Sequence, residues 1–109
     1  MAHFQSSLSP ERRRLIRDMQ RINFGRIDGL VIRNREPVSD PIPRKQVEIK
    51  FGGENGPRPE IGASDFALKQ QVIELFAFFD TLGNGTIDVL EIKHGLPFRV
   101  IITEGSTSK

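Results

Sequence analysis

The sequence predicts a small α+β domain in the order α-β-β-β-α-β-β, a helix-plus-β-hairpin unit used twice, and three observations predict it. Two stretches, at about 10–23 and 65–80, space their apolar residues along one face of a helix. Runs of period-two hydrophobicity, separated by glycine, proline and short polar turns, supply the strands. The segment GRIDGLVIRNREPV at 25–38 also aligns without gaps to GTIDVLEIKHGLPF at 85–98, a shift of 60 residues. With 109 residues the chain is expected to form one domain over 1–109, and the absence of cysteine excludes disulfides, thiolate metal sites and thiol catalysis.

The first helix has a complete start signal: Ser9 to cap, Pro10 at the first helical position, and Glu11 against the positive end of the dipole. Leu15, Ile16, Met19 and Ile22 form its buried stripe. Arg13, Arg17 and Arg21 line another face at successive i+4 steps, either as a solvated outer surface or as a ridge facing phosphates. Residues 26–38 then read as a hairpin with its turn at Asn34-Arg35, and Pro37, Pro41 and Pro43 make the next segment extended and exclude helix there. KQVEIKF at 45–51 has the cleanest alternation in the chain, which predicts a strand with Val47, Ile49 and Phe51 on its buried face.

Residues 52–63 form a Gly/Pro-rich loop whose glycines and Arg58 could hold an anion, although no Gly-Lys-Ser/Thr stands after it as a Walker loop requires, and a surface crossover is the plainer reading. Ser64 is expected to cap the second helix, with Leu68, Val72, Leu75, Phe76 and Phe79 as its stripe. Phe66, Ile73, Ala77 and Phe78 lie outside that stripe, so this helix is either central to the core or covered by another chain. Two strands around His94-Gly95 complete the fold. The two units, at about 10–38 and 65–103, are thus joined by a strand and loop over 39–64, with polar ends at 1–8 and 104–109 read as flexible.

Between the copies Gly25/Gly85, Ile27/Ile87, Asp28/Asp88, Leu30/Leu90, Ile32/Ile92 and Pro37/Pro97 are identical, and Arg33/Lys93 keeps its charge. One helix and two strands cannot bury their own apolar face, so the units are expected to pair into a mixed or antiparallel sheet of four or five strands with both helices on one side. Each unit resembles the small bacterial YezD-like family, in which a helix runs into a glycine-led hairpin. That resemblance covers about 30 residues per unit and implies a fold without implying any chemistry. Asp28 and Asp88 are expected to bond backbone amides at the start of their strands, with a paired carboxylate site as the alternative.

A second resemblance lies on ELFAFFDTLGNGTIDVLEI, which looks like an EF-hand. Asp80, Asn84, Thr86, Asp88 and Glu91 occupy loop positions 1, 5, 7, 9 and 12, with Gly85 at 6. Leu82 stands where an oxygen ligand belongs, Gly95 and Pro97 cut the exit helix short, and the same register at 25–38 reads as strand. The sequence therefore favours no metal and no cofactor.

The catalytic inventory is thin, since His3 and His94 lack partners at metal or nucleophile spacing, and the chain is expected not to be an enzyme. The order helix, three strands, helix over 10–80 is reminiscent of the double-stranded-RNA-binding domain, but Asp65 stands where that domain's second helix begins with positive charge. Charge is uneven: residues 1–50 carry a net +5 and residues 51–109 a net −3. The leading expectation is a cytoplasmic, non-enzymatic interaction or assembly module, a homo-oligomer or a partner to another protein. Its surface would be the second helix, through Phe66, Ile73, Phe76 and Phe78, or a sheet edge. The alternative is a nucleic-acid-binding accessory protein using Arg13, Arg17, Arg21, Arg33 and Arg35. No apolar run approaches the roughly 18–20 residues of a membrane span.

Overall fold

A computed structural model describes residues 8–51 and 69–104. Helix α1 spans Pro10–Ile22, followed by strands β1 (Gly25–Arg33), β2 (Glu36–Val38) and β3 (Arg44–Val47); helix α2 spans Gln70–Leu82, followed by β4 (Gly85–Lys93) and β5 (Leu96–Ile101). This is the predicted α+β order. All five strands pair antiparallel in one sheet, ordered β2-β1-β4-β5, with β3 continuing along β1 beside β2. The ends at 1–7 and 105–109, His3, the loop 52–63, the Ser64 cap, Phe66 and Leu68 lie outside the described residues. Leu8, from the end read as flexible, packs against the core.

Ser9 caps α1 as its residue type suggests, its side chain accepting from the Arg12 amide at 3.2 Å. Helix α2 starts later than expected, with Lys69 at the cap position and no side-chain cap. Both helices lie on one face of the sheet. Leu15, Ile16, Met19 and Ile22 from α1 and Val72, Leu75, Phe76 and Phe79 from α2 close over Ile27, Leu30 and Ile32 of β1 and Ile87, Leu90 and Ile92 of β4.

The central pairing of β1 with β4 is self-complementary. Gly25 pairs with Ile92 and Ile32 with Gly85; Ile27 pairs with Leu90 and Leu30 with Ile87. Because each position corresponds to the one 60 residues on, every such pair is the image of another, as around a two-fold axis through the middle of the sheet. The hairpin turns share this relation. Asn34 and Arg35 (φ 56° and 67°) and His94 and Gly95 (φ 57° and 72°) are two-residue turns at positive φ, the hand that matches strand twist. Each turn is then closed by the other unit's helix: the Arg35 amide donates to the Gly83 carbonyl at 2.7 Å, and the Gly95 amide to the Asn23 carbonyl at 2.9 Å.

The third strand departs from expectation in length and burial. The alternation over 45–51 predicts a strand throughout, yet pairing stops at Val47 because its one partner among the described residues, β1, begins at Gly25. One further bond, from the Glu48 amide to the Phe24 carbonyl at 2.7 Å, carries the chain past the sheet. Val47, Ile49 and Phe51 are therefore 46%, 67% and 93% exposed, where their spacing predicts a place in the core. Beside them Gly25 is required by close approach: a Cβ there would lie 2.0 Å from the Gln46 carbonyl oxygen.

Candidate functional site

The arginines of α1 lie on its outer face. Burial of Leu15, Ile16 and Met19 fixes the helix phase, which turns Arg13, Arg14, Arg17 and Arg21 away from the sheet. Among the described residues no carboxylate pairs with Arg13, Arg14 or Arg17; Arg14 donates to the Ser39 hydroxyl at 3.1 Å, and Arg21 stands 4.0 Å from Asp18. Arg35 sits at the amino end of this ridge, since its carbonyl accepts from Arg12 at 2.8 Å. Arg33 does not join it: Ile32 is buried on the helix side, so strand alternation sends Arg33 to the open face of the sheet.

Arg12 has a different role, which the i+4 pattern of its neighbours conceals. It stands at an inward position, equivalent to buried Val72, and its side chain is only 15% exposed. Its guanidinium lies over the rings of Phe76 and Phe79, 5.0 and 6.0 Å from their centroids. It donates to Asp80 at 2.7 Å and lies 3.5 Å from Glu36, which also accepts from the Ser9 hydroxyl at 2.8 Å. Arg12 thus clasps the start of α1, the β1–β2 turn and the end of α2. The signal in the sequence is the repeat itself, where a charged residue replaces a core valine.

That clasp bears directly on the EF-hand resemblance. Asp80 lies within helix α2 and is engaged by Arg12; Asn84 accepts from the Asn34 amide at 2.9 Å; Thr86, Asp88 and Glu91 are strung along β4. At about 3.3 Å of rise per strand residue these oxygens cannot close around one ion. Among the described residues no group of three His, Asp or Glu side chains is placed to hold a metal.

The repeated aspartates bond side chains, not the backbone amides expected of them. Asp28 accepts from Gln46 at 2.9 Å and lies 3.3 Å from Arg26 and 4.0 Å from Arg44; Asp88 accepts from the Thr103 hydroxyl. They hold the partly uncovered face of the sheet together and form no carboxylate pair. His94 occupies an exposed turn, its ring edge-on to Phe24 at 4.8 Å.

Of the surface expected on α2, Phe76 is spent on the core, and Phe66 lies outside the described residues. Phe76 is 4% exposed and belongs to the buried cluster, because its position follows Leu75 on the inward stripe. Phe78 is half-buried and Ile73 partly so. With Leu75, Pro97, Phe98 and Val100, Phe78 lines a shallow groove of about 220 Å³ between α2 and β5. A second groove, about 430 Å³, crosses the start of β1 between Gln46 and Glu48 on one side and Glu91 and Lys93 on the other. Among the described residues, the large apolar side chains that face solvent are those of the β3 tail, with Ile42, Phe98 and Ile101.

Among the described residues no helix is long and apolar enough to cross a membrane. Compared with family models, with curated proteins and with solved structures, the chain matches none.

Proposed function

We propose that the chain is a non-catalytic assembly module that joins a second copy of itself through the tail of β3. The observation that carries this reading is the exposure of Val47, Ile49 and Phe51, three alternate apolar side chains at the end of β3 and in the extended chain that follows it past the start of β1. A strand edge with one apolar face is a ready template for another strand.

The order of residues over 47–51 favours a second copy as the occupant. Paired antiparallel about Ile49, the tail sets Ile49 against Ile49, Val47 against Phe51, and Glu48 against Lys50, so apolar meets apolar and opposite charges meet across the pair. Each exposed apolar side chain contributes about 1.5–3 kcal/mol when fully covered, against an association cost of at least about 4 kcal/mol. The resulting dimer is weak and depends on concentration.

Sedimentation equilibrium from micromolar to near-millimolar protein tests this. The native chain should shift from monomer to dimer, and Ile49→Lys, at a position 67% exposed and outside every strand, should remain monomeric with unchanged circular dichroism. A native chain that stays monomeric throughout, or a dimer that survives both Ile49→Lys and Phe51→Lys, overturns the proposal.

A further inference from the structure

We infer that the outer face of α1 is a docking ridge for the phosphate backbone of double-stranded nucleic acid, independent of the β3 tail. The two helices do the same work in the fold. Their buried positions correspond: Leu15 with Leu75, Ile16 with Phe76, Met19 with Phe79. Their outer faces do not. Arg13, Arg14, Arg17 and Arg21 on α1 stand where α2 carries Ile73, Glu74, Ala77 and Thr81. The second helix packs on the same sheet with no cation on that face, so the packing makes no demand for four arginines there.

Nor does pairing within the chain account for three of the four. Arg13, Arg14 and Arg17 have no carboxylate partner among the described residues, whereas Asp18 on the flank of α1 is shared by Lys45 at 3.3 Å and Arg21 at 4.0 Å, and Glu36 and Asp80 are taken by Arg12. The i+4 spacing sets Arg13, Arg17 and Arg21 about 6 Å apart along a straight axis. Guanidinium groups match phosphate oxygens in a two-pronged geometry that ammonium groups lack. A bilayer is the less suitable polyanion, because an interfacial helix must insert an apolar face, and the apolar face of α1 is buried in the core.

Binding is to be measured by fluorescence anisotropy with a labelled mixed-sequence DNA duplex of about 20 base pairs, with salt varied from about 50 to 200 mM. Three phosphate contacts give a log–log salt slope of about −2.7, a loss of about 40-fold in affinity over that range. Replacing Arg13, Arg17 and Arg21 together by Ala should abolish binding, and replacing them by Lys should restore most of it. Replacing Arg33, Arg44 and Arg99 by Ala removes the same charge elsewhere and should leave the slope unchanged. Absence of duplex binding at the lowest salt, or equal losses in the two alanine variants, overturns the inference. So does co-sedimentation with phosphatidylserine vesicles in place of duplex binding.

Discussion

Gly25 and Gly85 hold equivalent places at the start of the two central strands, yet replacing each by alanine should have very different costs. At Gly25 the new Cβ would lie 2.0 Å from the Gln46 carbonyl oxygen and 2.9 Å from Ile22 Cγ2. An ordinary contact is longer than the first of these by more than about 1 Å, and the obstacle is backbone, so β3 must move off β1. That strand is held by four residue pairs. Losing roughly half of its ladder, about two hydrogen bonds at about 1 kcal/mol each, with overpacking of about 1–3 kcal/mol against Ile22, gives a destabilisation of about 3–5 kcal/mol. At Gly85 the Cβ meets only the tip of Leu82, at 3.2 Å, and a side-chain tip can give way. Gly85→Ala should therefore cost less than about 1 kcal/mol. Urea unfolding monitored by far-ultraviolet circular dichroism suits a chain without Trp or Tyr. Equal midpoints for the two variants would refute the reasoning, because they would mean that β3 does not press on Gly25.

The clasp at Arg12 carries two further expected outcomes. Arg12→Ala should lower stability by about 2 kcal/mol, from the cation–π contacts and the charged hydrogen bonds lost together, while a double-mutant cycle with Asp80→Asn should show coupling below about 1 kcal/mol, because Asp80 is 56% exposed. Coupling well above that value would show that the ion pair, and not the ring contact, is what holds α1 to α2. Millimolar calcium, compared with chelator, should leave the thermal midpoint unchanged; a clear rise would mean that Asp80 and Glu91 can leave helix and strand to meet around an ion.

Local chemistry made much of this architecture legible in advance. The start of α1 is written in Ser9, Pro10 and Glu11, and both hairpins in alternation closed by turns in which Asn34, His94 and Gly95, though not Arg35, are residue types that tolerate positive φ. What local pattern does not carry is where a neighbour ends. Val47, Ile49 and Phe51 have the spacing of a buried strand, and their exposure is decided by β1 beginning at Gly25, a fact of tertiary pairing. The same holds for Asp80 through Glu91, whose oxygens have the intervals of a calcium loop, but Asp80 stays in helix α2 and Thr86, Asp88 and Glu91 are drawn out straight along β4 by its pairing with β1. Phe76 shows a third limit: a residue on the apolar stripe of so apolar a helix reads both as core and as interface until what the helix packs on is known. Of the arginines, Arg13, Arg17 and Arg21 are visible as a face in the sequence, whereas Arg12 needs the comparison with Val72 to be separated from them.

The crossed bonds from Arg35 to Gly83 and from Gly95 to Asn23 govern the way the molecule opens. Hairpin turns are ordinarily among the first places where a native protein breathes, since they are exposed and bonded only locally. Here the amide at each turn is held by the helix terminus of the opposite unit, so freeing either one requires the two halves to come apart. Separation of the halves also strips Ile27, Leu30, Ile87 and Leu90 of their cover, which is global unfolding. The Arg35 and Gly95 amides should accordingly exchange their hydrogens more slowly than those of an ordinary exposed turn, which hydrogen exchange would read directly.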